Sequence, residues 1–193
     1  DLHRIEEICK AKGYKVLVGE SASRKGLYGG TPEEQAAEFQ YMMTTAPCDA
    51  VLALRGGYGT MRYLERLDYK AIRKYRKAFI GYSDCTALHM AINRYSRLIT
   101  YHGPMGVDFK AERKADIDAL FNVLEGKLKV IEPLPEPPRG AIGTELGEGI
   151  FRGGNMTILS VLSGTPYFLE DESWEDTLLF IEDVGEAPYK LDR

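Results

Sequence analysis

Two hydrophobic periods alternate along this chain. From Leu2 to Lys12 the apolar positions Leu2, Ile5, Ile8 and Cys9 share one helical face, and Gly13 follows as a helix-ending residue. Tyr14 to Gly19 reads as a buried strand. Thr31-Pro32-Glu33-Glu34 has the signature of a helix start: Thr31 caps, Pro32 takes the first position, and Glu34 stands three residues after the cap. That helix is predicted to run to about Thr44. Asp49 to Leu54 is a second buried strand, Thr60 to Leu67 a helix, Ala71 to Tyr75 a short helical piece, and Ala78 to Tyr82 a third strand. Thr86 to Tyr95 is again helical, and Leu98 to Tyr101 is a fourth strand. Further on, Lys114 to Leu124 is an amphipathic helix. Pro-rich Glu132 to Arg139 and Gly-rich Gly140 to Gly149 read as an extended linker. Gly149 to Asn155 then introduces a helix from Met156 to Leu162, and Asp176 to Asp183 is a last strand.

Continuously apolar strands alternating with helices predict a parallel sheet covered on both faces. The expected fold is α/β, with a flavodoxin- or Rossmann-like domain over residues 1–110. A helix and linker follow over 111–148, and a smaller α/β domain starts over 149–193. The chain opens on a helix, so the first strand of a doubly wound domain is expected to be missing. It stops at Leu191-Asp192-Arg193, where a further helix is expected to begin. Gly-rich or polar segments follow the carboxyl ends of three successive strands, where the ligand crevice of an open α/β sheet lies.

Composition narrows the function classes. A chain of 193 residues with 44% hydrophobic and 28% charged residues is that of an ordinary soluble globular protein. A net charge of -4 and a pI of 5.5 argue against a general nucleic-acid or membrane-surface partner. No apolar run is long enough to span a bilayer. No signal peptide is visible, but the chain begins with Asp1 rather than Met, so loss of an N-terminal segment is an expectation. The three cysteines, Cys9, Cys48 and Cys85, form no C-x-x-C pair. Neither a zinc site nor a disulfide framework is expected, and a reducing cytoplasm fits.

The candidate chemistry centres on Phe79-Ile-Gly81-Tyr-Ser83-Asp84-Cys85-Thr-Ala-Leu-His89. An apolar strand runs into Gly81, a serine follows, and a helix begins at once. Nucleophilic serine hydrolases present their serine on this geometry. Cys85 stands where the second glycine of G-x-S-x-G would be and reads as a small buried residue. The competing reading of Ser83 is a helix N-cap. Arg55-Gly56-Gly57-Tyr58-Gly59 also follows a strand and precedes a helix. Its glycines could form a phosphate cradle or half an oxyanion hole, or simply a tight turn. It is neither a Walker loop nor G-x-G-x-x-G. Among the histidines, His3 sits on a frayed first turn. His89 points from its helix away from the elbow. His102 ends the strand beside the elbow's strand and is the better site candidate. Glu182 ends an apolar strand and could orient a histidine, with Asp183 and Glu186 as neighbouring alternatives. Asp84 is expected to serve through its backbone N–H.

Arg55-Gly-Gly-Tyr-Gly59, Gly81-Tyr-Ser-Asp84 with Thr86-Ala-Leu-His89, His102-Gly-Pro-Met105, Gly153-Gly-Asn155 and Phe180-Ile-Glu-Asp-Val-Gly-Glu-Ala-Pro-Tyr189 stand in order along nearly the whole chain. Together they resemble the LD-carboxypeptidases, serine peptidases that include murein tetrapeptide carboxypeptidases and microcin-C immunity hydrolases. The resemblance implies a Ser-His-Glu triad without metal or cofactor, with Ser83 as nucleophile and Glu182 as acid. It implies an oxyanion hole from the N–H groups of Gly57 and Asp84. Arg55, Gly56, Tyr58, His102 and Asn155 are then the substrate-binding residues. The implied substrate is a murein peptide or related small peptide, cut in cytoplasmic wall recycling by a homodimer. The microcin-type alternative cleaves peptidyl or aminoacyl-adenylate amides, and a non-catalytic peptide-binding remnant is a further alternative. None of the three histidines matches the family's triad histidine, so the chain as given is expected to be inactive alone.

Overall fold

The computed structural model describes residues 2–26, 28–130, 147–168 and 176–192. The elements in chain order are α1 (Leu2–Ala11), α2 (Pro32–Met43), β1 (Ala50–Leu52), α3 (Tyr69–Tyr75), β2 (Ala78–Gly81), α4 (Thr86–Ala91), β3 (Tyr101–His102), α5 (Lys114–Leu124), β4 (Ile150–Asn155), α6 (Met156–Leu162), β5 (Thr177–Glu182) and α7 (Pro188–Leu191). The strands form two parallel sheets, β1-β2-β3 and β4-β5. The fold is α/β.

The strand β2 shows how the first sheet is covered on both faces. Successive side chains on a strand point to opposite sides. Phe79 packs into a cluster with Met43 of α2, Ile72 of α3, Leu88 and Ile92 of the α4 segment, and Leu162 of α6. Ile80, the next residue, packs with Ile5 and Cys9 of α1 and Ile117, Leu120 and Phe121 of α5. Each of these two side chains is fully buried, and removing one such group from water stabilises the fold by roughly 1.5–3 kcal/mol.

Local signals account for several boundaries. Thr31 and Glu34 form a complete capping box: the Thr31 hydroxyl accepts from Glu34 N–H at 3.2 Å, and the Glu34 carboxylate accepts from Thr31 N–H at 2.8 Å. The helices predicted over Lys114 to Leu124 and Met156 to Leu162 have those bounds.

Four expectations change. Tyr14 to Gly19 forms no ladder with any described strand, and Val16, Leu17 and Val18 are exposed. An apolar run becomes a strand only when a neighbour takes up its backbone hydrogen bonds. Thr60 to Leu67 is two short 3-10 turns, Thr60–Arg62 and Leu64–Arg66, rather than one helix. The fourth strand pairs only over Tyr101–His102; the helix expected from Thr86 to Tyr95 is present, its last turn a π-turn over Ile92–Ser96. Gly149 to Asn155, read as a lead-in to a helix, contains β4, aligned residue for residue with β5 from Ile150↔Thr177 to Asn155↔Glu182. Gly153 and Gly154 conceal that strand because glycine is depleted from strands. They are required there: a Cβ on Gly153 would overlap the Phe180 carbonyl, and one on Gly154 would press on Thr86. Of the expected linker, 132–146 lies outside the described residues.

Candidate active site

The turn after β2 is set by small residues. A Cβ on Gly81 would sit 2.8 Å from Cys85 Sγ and 3.2 Å from Ala53 Cβ, so the chain can pass only as glycine. Tyr82 is extended, and Ser83 then adopts φ 60° before the 3-10 turn Ser83–Cys85 leads into α4. A left-handed non-glycine residue at such a turn costs roughly 1–3 kcal/mol and persists only where its surroundings enforce it. The Ser83 side chain is half-buried, and its hydroxyl has no hydrogen-bond partner among the described residues. Cys85 fills the space beneath the turn, and burial pushes its thiol up to about 12. That thiol stays protonated and inert near neutral pH.

The Gly-Gly loop closes over the serine. A Cβ on Gly56 would lie 3.0 Å from Ser83 Cβ and 3.2 Å from Ser83 Oγ. Gly57 has φ 151° and open space around it. Arg55 and Tyr58 are exposed, and the Tyr58 ring lies 6.1 Å from that of Tyr28. Asp84 is buried and its carboxylate is committed: Oδ2 accepts from Thr60 N–H at 3.0 Å and from the Thr60 hydroxyl at 2.7 Å. Asp84 therefore ties the elbow to the end of the glycine loop through Oδ2.

The histidines separate cleanly. His3 is exposed and pairs with Glu7 at 3.4 Å. His89 is buried, but it does not point away from the elbow: its Nε2 lies 2.9 Å from the Gly81 carbonyl, at the elbow's own base. A carbonyl can only accept, so Nε2 carries the proton. Burial lowers the pKa of this ring to about 4, so it is a neutral core residue. His102 ends β3, in register with Gly81. Its ring meets Phe180 edge-on at 5.1 Å and lies 6.1 Å from Tyr82. Its Nε2 is 4.0 Å from Glu182 Oε1. Burial lowers the His102 pKa, and the Glu182 charge opposes that shift.

The three neighbouring carboxylates differ in what they bind. Asp183 Oδ1 accepts from the N–H groups of Gly185 and Glu186, each at 3.0 Å. Glu186 accepts from the Thr157 hydroxyl at 2.9 Å and pairs with Lys190. Glu182 Oε1 is buried with no hydrogen-bond partner. Leaving a buried acceptor unpaired costs about 1–3 kcal/mol, more when it is charged. Asn155, opposite Glu182 across the β4-β5 ladder, caps α6 by accepting from Ile158 N–H at 3.2 Å. Its own N–H donates to Thr86 Oγ1 at 3.0 Å. Thr86 is fully buried and joins the second sheet to the helix that follows Ser83. Sequence reasoning gave Thr86 no role. The only signal was its place directly after Ser-Asp-Cys, which periodicity assigns to a helix start.

A left-handed serine between strand and helix, under a glycine loop, is the arrangement on which α/β serine hydrolases present a nucleophile. Comparison with known proteins is more specific. Residues 1–103 match the LD-carboxypeptidase N-terminal domain, and residues 148–193 match the LD-carboxypeptidase C-terminal domain. The chain belongs to the LD-carboxypeptidase family. It is 36% identical over 189 residues to a probable murein peptide carboxypeptidase of Bacillus subtilis, covering 94% of this chain and 57% of that protein. The structure of a muramoyltetrapeptide carboxypeptidase from Oxalobacter formigenes superposes with a TM-score of 0.80 at 27% identity, covering 99% of this chain and 63% of that one. The microcin C7 self-immunity protein MccF of Escherichia coli superposes with a TM-score of 0.79 at 26% identity, covering 93% and 61%. The chain thus spans less than two thirds of the length of these relatives.

Proposed function

We propose that the protein is a serine-type LD-carboxypeptidase that releases the terminal D-alanine of murein tetrapeptides. The observation that carries this reading is the Ser83 backbone, held left-handed with its hydroxyl unbonded against Gly56. In this mechanism Ser83 Oγ attacks the scissile carbonyl, and its proton passes to a histidine. The N–H groups of Gly57 and Asp84 stabilise the oxyanion; its collapse breaks the scissile C–N bond as the histidine returns the proton to the departing D-alanine amine, and water then hydrolyses the acyl-enzyme and frees Ser83. Glu182, the carboxylate with a buried unpartnered oxygen, orients the histidine and stabilises its charged form. Arg55, Gly56, Tyr58, His102 and Asn155 line the substrate crevice. His89 is held by Gly81 in the core, so it is not the base. We place the base on a histidine other than the three in these 193 residues, and expect the isolated chain to release no D-alanine above background. D-alanine release by the isolated chain that is lost in His102→Ala would make His102 the base instead.

A fluorophosphonate probe should label Ser83 when the base is present. Ser83→Ala should remove labelling and lower turnover by up to ~10⁶-fold while the thermal midpoint is kept. Normal turnover in Ser83→Ala would refute the assignment. The MccF likeness supports a second reading, hydrolysis of an aminoacyl-adenylate amide by the same Ser83. Comparing kcat/KM for a murein tetrapeptide with that for an aminoacyl-adenylate amide separates the two, the higher value marking the substrate class. Among the described residues no helix is long and apolar enough to cross a membrane. A cytoplasmic location and a homodimer complete the proposal, to be checked by cell fractionation and sedimentation.

A further inference from the structure

The amino ends of β2 and β3, opposite the elbow, hold a cluster of positive charge. An open groove of about 480 Å³ there is lined by Lys70, Arg73, Lys74, Arg76 and Arg97, all exposed, with Ser96 and Leu98 at its base. Lys70, Arg73, Lys74 and Arg76 belong to α3 and its end; Arg97 ends the π-turn after α4. None of the five cations forms an ion pair with a carboxylate among the described residues. Arg66 and Arg113, by contrast, are paired, Arg66 with Glu33 and Glu65 and Arg113 with Asp116. Asp49 lies along the same edge, its carbonyl on Ala78 N–H, and makes no ion pair there.

The simplest alternative is that these cations only complement two helix ends. Magnitudes argue otherwise. A helix carboxyl end is equivalent to about -0.5 charge, so two such ends offset about one of the five positive charges. Roughly four remain uncompensated. Arg76 and Arg97 are moreover left-handed, with φ 55° and 56°. Glycine would take that conformation without the Cβ penalty.

We propose that this groove binds a small oligophosphate, free or as the tail of a nucleotide. Three guanidinium groups offer paired N–H donors that match phosphate oxygens two at a time. A compact ligand with three or four negative charges balances the residual charge. The volume is that of a small-molecule site, ~300–1,000 Å³. The net charge of -4 over the whole chain disfavours an extended polyanion wrapped on its surface. The site does not depend on the peptidase reading, because it lies at the far end of β2 from Ser83.

The test is calorimetric titration of the protein with inorganic tripolyphosphate, ATP and orthophosphate at low and raised salt. Saturable tripolyphosphate binding is expected, at least about tenfold tighter than orthophosphate and weakened by salt. Arg73→Glu with Arg97→Glu should weaken it by at least about tenfold. Arg76→Gly with Arg97→Gly removes two charges and both left-handed side chains. It should also weaken binding, with an unchanged or higher thermal midpoint, which separates lost recognition from lost folding. Equal affinity for ATP and tripolyphosphate identifies the phosphate chain alone as the ligand, and tighter ATP binding adds the nucleoside. No saturable binding at low salt, equal binding of orthophosphate, or unchanged affinity in both double variants would overturn the proposal. So would tighter binding to single-stranded DNA or anionic vesicles than to tripolyphosphate.

Discussion

The two parallel sheets reach similar ends by different means. The β1-β2-β3 sheet pairs over short stretches, two residues between β2 and β3, yet helices cover both faces and Phe79 and Ile80 are fully buried. The β4-β5 sheet pairs over six aligned positions, yet Ile150, Phe151, Leu179 and Ile181 along it are more than half exposed. In the first sheet, packing holds the backbone and a short ladder suffices. In the second, the ladder fixes the register and contact with the first sheet fixes the position. Ser83 rises from the packed sheet and Glu182 from the laddered one, so the candidate site depends on how firmly the two are joined. That joint includes Thr86, which accepts the Asn155 N–H, and the approach of His102 to Glu182 and Phe180.

The largest test of this contrast falls on the second sheet's contribution. Glu182→Gln should lower turnover by up to ~10,000-fold with a far smaller rise in KM, because a triad acid acts on the histidine and not on substrate binding. Asp183→Asn and Glu186→Gln should change turnover much less, since those carboxylates are already occupied by backbone N–H groups, Thr157 and Lys190. If either matched Glu182→Gln, the acid would be misassigned by a few residues.

A smaller effect should come from cutting the joint itself. Thr86→Val keeps the volume and leaves the Asn155 N–H without its acceptor, costing about 1–3 kcal/mol. Chemical denaturation measures that loss. If Thr86 also holds the two sheets in catalytic register, kcat should fall while KM is nearly unchanged. A loss of stability with no change in kcat would make Thr86 a packing residue only.

The smallest test concerns the packed sheet. Burial lowers the pKa of His89 from 6.5 to about 4. The unfolded chain therefore takes up a proton as pH falls through 6.5, while the folded protein does so only near 4. Stability is full above that window and is lost as pH falls through it, by up to ~1.4 kcal/mol per pH unit. His89→Gln should flatten this part of the pH–stability curve measured by urea denaturation. An unaltered slope would show that other groups carry it.

Much of the helical framework was legible because its signals are local. The capping box at Thr31, the amphipathic period of Lys114 to Leu124 and the apolar face of Met156 to Leu162 need no distant partner. The turn at Gly81 to Ser83 was legible for the same reason, as an apolar run, a glycine and a helix start in immediate succession. What escaped involved partners remote in sequence. The strand β4 is hidden by Gly153 and Gly154, whose lack of side chains is demanded by Phe180 and Thr86. Tyr14 to Gly19 has the composition of a strand and no described neighbour to pair with.

The sequence alone determined the α/β class, the strand-to-helix turn carrying Ser83, and the family motifs, because each rests on spacing along a few consecutive residues. Only the tertiary structure decided that Ser83 is left-handed against Gly56, that Asp84 is spent on Thr60, and that His89 is locked on Gly81. Only it distinguished Glu182, whose buried oxygen has no hydrogen-bond partner and stands 4.0 Å from His102, from Asp183 and Glu186. Hydrogen-bond satisfaction and burial are properties of what surrounds a group in space, and those surroundings come from residues far apart in the sequence, as His102 and Glu182 are.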